Sequence, residues 1–275
     1  MGPTARLPGR LGIEATKGRG VVMRANLLFD SVTLTGRSLR HITRSPDTIV
    51  TTAIIPIAFL LMFVYVFGGA IRAGSQPYVS YLLPGIMVIT IAYGISYVGF
   101  RLFLDRQSGI FLRLHSMPIA RSAVLWAHVT TSLVTNLAAV AVVVVVALLM
   151  GFRSGAGALA WVEVVGILTL LTLALTWIAV IAGLAAKSAD GVGGFAYPLV
   201  FLPFVSSAFV PTRTMPGPVR AFAENQPVTS IVNAIRDLLT QRPVGSDVWI
   251  ALAWCMGTLA VSFTVAVRLY RRQIA

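Results

Sequence analysis

Charge is scarce in this chain. Asp, Glu, Lys and Arg make up 11% of its 275 residues, and hydrophobic types make up 57%. Soluble domains carry about 25% charged residues, so a water-facing surface of this size is excluded. Acidic residues are rarer still, 9 against 22 Lys and Arg, for a net charge of +13. One cysteine, Cys255, leaves no internal disulfide and no thiolate metal cluster. In its apolar run it reads as a small buried hydrophobe. No GxxxxGK[ST] stretch occurs, so no loop of that kind cradles nucleotide phosphates. AGLAAKS at 182–188 lacks the Gly before Lys187. His41, His115 and His128 show no metal-ligand spacing, and Cys255 has no His near it in sequence, which argues against an enzyme.

What the chain has is long apolar runs. Six segments read as membrane spans: 49–68, 81–100, 123–149, 161–184, 195–210 and 248–267. A run of about 20 apolar residues crosses a hydrocarbon core of roughly 30 Å. The fold class is therefore all-α, a polytopic membrane protein. Glu163 is the one charged residue inside these spans, and it lies near a span end. The 195–210 run holds Pro198 and Pro203 and is expected to bend.

Orientation follows from Lys and Arg between spans. With the N-terminus in the cytosol, 16 of the 22 fall on the cytosolic side and 6 outside. Both termini are thus expected in the cytosol. The segment 211–247 is the exception, with Arg213, Arg220, Arg236 and Arg242 on the outer side. The basic residues flank spans, so the positive charge points to anionic lipid rather than nucleic acid. Residues 1–23, basic and rich in Gly and Pro, read as a flexible cytosolic tail; 24–275 reads as one membrane domain.

Within 24–44, Leu28, Val32, Thr35, Leu39 and Ile42 fall on one helical arc, and Asp30, Arg37, Arg40, His41 and Arg44 oppose them. That pattern suits a helix lying on the inner leaflet. It is either an anchor or a lever against a cytosolic partner. Ser45, Pro46 and Asp47 then suit the start of the first span.

DRQSGIFLRLHSMPIARS, residues 105–122, lies between two spans where a short turn would suffice. Ile110, Phe111, Leu114 and Met117 share one helical face, and Pro118 ends the helix. The segment is either a turn resting on lipid or a knob for a groove in another protein. Asp105, Arg106, Gly109, Leu114, Pro118 and Arg121 stand where ATP-binding-cassette exporter permeases of the second type carry their coupling region, and the segment resembles it. Gln107 and Arg113 depart from the acidic residues common there. A second stretch, FVPTRTMPGPVRAFAENQPVTSIVNAIRDLL at 209–239, is similar to the outer segment of the same family. The likeness is closest to its drug-resistance branch of daunorubicin and doxorubicin exporters, through Pro211, Met215, Pro216, Phe222, Asn225, Pro227, Val228 and Arg236.

The resemblance implies a permease moving a hydrophobic or amphipathic drug or lipid out of the cell, driven by ATP and Mg on separate cytosolic ATPases, two per transporter. It implies a second permease chain, identical or different, a plasma-membrane location, and no cofactor on this chain. Asp105, Arg106, Gly109, Phe111, Arg113, Leu114, Met117 and Pro118 would couple to the ATPase. The 211–240 segment would be a re-entrant helix pair forming an outer gate, with Pro211, Asn225, Pro227, Ile231 and Ile235 in it.

By pattern alone, Val228, Ile231, Val232, Ile235, Leu238 and Leu239 form an apolar stripe, and Asn225–Gln226–Pro227 reads as a break before it. Thr169, Thr172 and Thr176 share a face of their span, and suit either interhelical hydrogen bonds or pathway lining. His128 suits either a hydrogen bond or a proton relay. An ion-coupled secondary transporter would place ionisable groups deep in its spans, and this chain has few. A polysaccharide or glycolipid permease of the same broad class shares the expected topology.

Overall fold

The computed structural model describes residues 47–69, 77–108, 123–243 and 245–274. The expected tail 1–23 and the interfacial helix with Leu28, Val32, Arg37, Leu39, Arg40 and Arg44 lie outside the described residues, as does 109–118.

All regular elements among the described residues are helical. Helix α1 is Asp47–Leu61 and continues as a π-helical turn over Met62–Phe67. Helices α2, Tyr78–Gln107, α3, Ala123–Leu149, and α4, Ala158–Ala185, follow. Helix α5, Ala189–Phe201, runs into a 3-10 turn at Leu202–Val205. Two short helices, α6, Gly217–Asn225, and α7, Pro227–Leu239, precede α8, Asp247–Ile274. Among the described residues, five helical stretches are long and apolar enough to cross a membrane: 50–67, 78–107, 125–149, 158–185 and 247–270. Ala189–Val205 is apolar but shorter.

Several helices run past the expected span ends, and two of these differences bear on the site. Helix α5 starts at 189, ahead of the expected 195, because Ser188 caps it: its Oγ accepts from the Gly191 N–H at 3.2 Å. It tolerates Pro198, gives way after Phe201 to the 3-10 turn that holds Pro203, and Ser206 is extended. Helix α2 continues past 100 to Gln107, because Leu102 and Phe103 prolong its buried face. Asp105 and Arg106, expected to head the short cytosolic helix, therefore close α2 instead.

Helix α2 is the central pillar. Of its most apolar stretch 78% is buried, against 22% for α1 and for α8. Glycines let neighbours approach it closely. A methyl on Gly94 would lie 2.0 Å from Asn136 Oδ1 of α3, and one on Gly183 of α4 would lie 2.8 Å from the Gly99 carbonyl oxygen.

The bundle has two ends, named inner and outer after the charge-based orientation. At the inner end, Leu102, Leu125, Val129, Trp177, Val180, Leu184, Ala266 and Tyr270 form a compact core. At the outer end, Ser154 donates to the Leu239 carbonyl at 3.0 Å, joining the α3–α4 loop to α7. Val192 packs on Gly99, and Tyr78 Oη donates to the Phe209 carbonyl at 3.0 Å. The chain from 192 to 209 thus covers the height that α2 takes from Gly99 to Tyr78, about 31 Å at 1.5 Å per residue.

Candidate functional site

The inner end gathers three helix termini. The last carbonyls of α4 have no partner within their own helix. Arg106, in the last turn of α2, supplies one: its Nη1 donates to the Leu184 carbonyl and its Nη2 to the Ala186 carbonyl at 2.9 Å. Its guanidinium also lies 5.8 Å from the Phe103 ring centre. Beside it, Asp105 Oδ2 lies 3.3 Å from His128 Nε2 of α3. His128, whose role the sequence leaves open, thus ties α3 to α2. Gly109, Phe111, Arg113, Leu114, Met117 and Pro118 fall outside the described residues.

The outer end is organised around the interrupted tail of α5. A break inside a membrane frees backbone carbonyls, which need donors from neighbouring protein. Here side chains provide them. Gln226 Nε2 donates to the Leu202 carbonyl at 3.3 Å and to that of Val205. Ser206 Oγ donates to the Pro203 carbonyl at 2.6 Å. The Ser207 carbonyl accepts from Tyr81 Oη at 2.9 Å and from Arg236 Nη2 at 2.7 Å. Arg236 also donates to the Tyr81 carbonyl and, through Nη1, to Asn233 Oδ1 at 2.8 Å. It is only 7% exposed, and no carboxylate lies within ion-pairing distance among the described residues. Carbonyl dipoles and the Tyr81 face carry its charge instead.

The residues expected to form an outer gate fall around this clamp. Helix α6 ends at Asn225, Gln226 is extended, and Pro227 starts α7. Ile231 and Ile235 are buried with Val228, Val232, Leu238 and Leu239, so the apolar stripe is the packed face of α7. Pro211 accepts from the Thr214 N–H at 3.0 Å and from its hydroxyl at 2.7 Å. Helix α6 is mostly exposed. Its Arg220 and Glu224 pair at 2.8 Å, and that hydrogen bond holds the Glu224 carboxyl below its ordinary range. Opposite the clamp, the broken segment meets α1 through rings: Phe209 stacks on Phe204 at 4.8 Å and lies 4.6 Å from Phe63.

The three threonines of α4 lie between these ends. Thr172 donates to the Leu168 carbonyl at 2.7 Å, and Thr176 pairs with Ser132 of α3 at 3.0 Å; both are fully buried. Thr169 is half-buried. Asn136 donates to Ser132, and its Oδ1 has no hydrogen-bond partner among the described residues.

Sequence reasoning found Arg236 as a motif position but not its burial. The signal was its charge on the side where positive residues are scarce. Tyr81, Gln226, Ser207 and Asn233 carried no comparable signal, since each is an ordinary polar residue in an apolar or loop stretch.

The ABC-2 type transporter family matches residues 31–240. The chain is 30% identical over 256 residues to the daunorubicin resistance ABC transporter permease of Streptomyces coeruleorubidus, covering 92% of this chain and 89% of that protein. It is 24% identical over 248 residues to a probable doxorubicin resistance ABC transporter permease of Mycobacterium tuberculosis, covering 89% and 90%. A multi-pass helical chain with a broken fifth apolar helix, matched over most of its length, belongs to the ABC-2 type transporter family and is a membrane permease subunit.

Proposed function

We propose that this permease exports hydrophobic or amphipathic compounds, with anthracycline-like drugs as the first class to test. Its relatives are drug-resistance permeases by name, and its spans offer apolar surface with scattered hydroxyls. Two cytosolic ATPases carry ATP and Mg, and a second permease chain completes the pathway. Both termini lie in the cytosol, which puts the 109–122 segment on the side of the ATPases.

The observation that carries the outer half of this reading is the position of Gln226. It sits at the corner between α6 and α7 and reaches the Leu202 and Val205 carbonyls. Those carbonyls lie deeper than Phe209, which is level with the first turn of α2. The chain thus enters from 211, turns at 226 and returns to the outer end at Leu239, as a re-entrant pair does. Residues 189–209 serve as a further crossing, fifth in chain order, finished by an irregular stretch instead of a full helix. Firm packing at both ends suits transmission by rigid-body rocking.

The test is reconstitution. The chain, expressed with its candidate ATPase, is purified by a tag on the permease and placed in vesicles with daunorubicin as the fluorescent probe. The expected result is copurification of the ATPase and ATP-dependent drug movement. Transport that follows a proton gradient and ignores ATP depletion would overturn the reading.

A further inference from the structure

We propose that Arg106 is a positioning residue that ties the root of the 109–122 segment to the joint between α4 and α5, so that displacement of one displaces the other. The proposal rests on the reading above, in which the ATPases act on that segment.

The geometry starts from a short joint. Helix α4 ends at Ala185 and α5 begins at Ala189, leaving three residues between them. The two Arg106 bonds, to the Leu184 and Ala186 carbonyls, fall on either side of that boundary. A planar guanidinium reaches two such acceptors with a fixed fork, which a lysine ammonium does not reproduce. Helix α2 ends one residue after Arg106, at Gln107, so the grip lies at the root of the 109–122 segment.

The other root is fixed as well. The chain resumes at Ala123 in α3, and His128 of that helix meets Asp105. Asp105 and Arg106 therefore spend their charges inside the chain, one on α3 and one on the α4–α5 joint. The sequence reading had put both residues against the ATPase. Here they hold the ends of α2 and α3 that flank the segment.

What lies beyond the joint gives the brace its consequence. Helix α5 packs on α2 through Val192 at Gly99, and its broken tail is held at the outer end by Gln226 and Arg236. A push on the segment that is delivered to Ala186 moves the inner end of the helix bearing the outer clamp. The Arg106 bonds are directional and hold the joint at a fixed position against the end of α2.

The experiment uses the full chain with its ATPase and a readout that needs no substrate. Cys255 is the only cysteine, so Cys255→Ala with Asn225→Cys gives one outer reporter, labelled by a membrane-impermeant maleimide with and without ATP. In the Arg106 protein, ATP is expected to change the labelling rate. Arg106→Gln is expected to keep ATPase copurification and ATP hydrolysis while the ATP-dependent change falls about tenfold. Arg106→Lys, which keeps one bond, is expected to lose about threefold to fivefold. This graded loss at constant hydrolysis is a readout that a purely structural role would not give. If Arg106→Gln does not insert, Arg106→Lys alone decides, and a response equal to the Arg106 protein overturns the proposal. A full response in Arg106→Gln overturns it too. So does loss of ATPase binding in an inserted Arg106→Gln chain, which would place the side chain at the ATPase surface. Absence of ATPase binding or ATP response before any substitution is a different result: it removes the functional reading itself.

Discussion

The guanidinium carbon of Arg236 lies 3.9 Å from the centre of the Tyr81 ring. The Tyr81 hydroxyl and the Arg236 Nη2 both donate to one acceptor, the Ser207 carbonyl. A cation, an aromatic face and a freed backbone oxygen thus satisfy one another across α7, α2 and the broken tail of α5. Removing the cation takes a donor from the Ser207 and Tyr81 carbonyls and from Asn233 Oδ1, although Tyr81 Oη still serves the first and Ser207 Oγ the last; each lost bond costs about 1 kcal/mol. Arg236→Met is therefore expected to destabilise the outer end by about 3 kcal/mol. Arg236→Lys should restore part of this. Thermal unfolding in detergent measures both, and ATPase copurification should persist because the inner end is untouched.

Gly94 faces Asn136 with no room for a side chain. Gly94→Val is expected to cost about 1–3 kcal/mol by overpacking. Asn136→Ala should relieve much of that cost, so the double variant is expected to be more stable than the sum of the single effects predicts. A double-mutant cycle on unfolding midpoints checks this; strict additivity would mean that the two residues do not press on each other.

Ser132 and Thr176 share a buried hydrogen bond between α3 and α4. If the bond serves only packing, Thr176→Val lowers stability by about 1 kcal/mol with export per ATP unchanged. Substrate-dependent changes in export, with stability unaltered, would instead assign Thr176 to the pathway.

The Phe111→Asp substitution tests the handle itself. An apolar anchor in a groove does not tolerate a carboxylate. Membrane insertion should persist while ATPase copurification and export are both lost. Undiminished ATP-dependent export in this variant would remove the coupling role of the 105–118 segment.

The Arg220–Glu224 pair gives the outer helix a pH dependence of known sign. The Glu224 carboxyl is held below its ordinary 4.5 in the folded chain, first by its hydrogen bond to Arg220. Its contribution is present above the unfolded value and is lost as pH falls through the folded one. The mobility of a spin label attached beforehand at Phe222→Cys, in a chain lacking Cys255, is expected to rise as pH drops below that range. Glu224→Gln should flatten the profile.

Sequence patterns reached some of this and missed the rest for definite reasons. The break at Asn225–Gln226–Pro227 was legible because Pro227 cannot continue a helix and suits the first turn of the next. The end of α2 was not, because Asp105 and Arg106 look like a charged loop. Only the partners of Arg106, 78 and 80 residues away, turn those charges inward. Positive-inside counting flagged 211–247 as anomalous. The buried clamp accounts for Arg236, one of its four arginines, as a structural cation, which the counting rule does not weigh.

By itself, the sequence determined that this chain lives in a bilayer. Hydrophobic runs of spanning length and a shortage of charge admit no other solvent, and that conclusion needs no partner or contact. Its order of motifs also determined the family. Tertiary structure decided what the few polar groups do. In a membrane each must find a donor or acceptor within protein, and residues far apart in the chain supply it. Arg236 therefore became a clamp and Arg106 a brace only once the helices brought carbonyls to them.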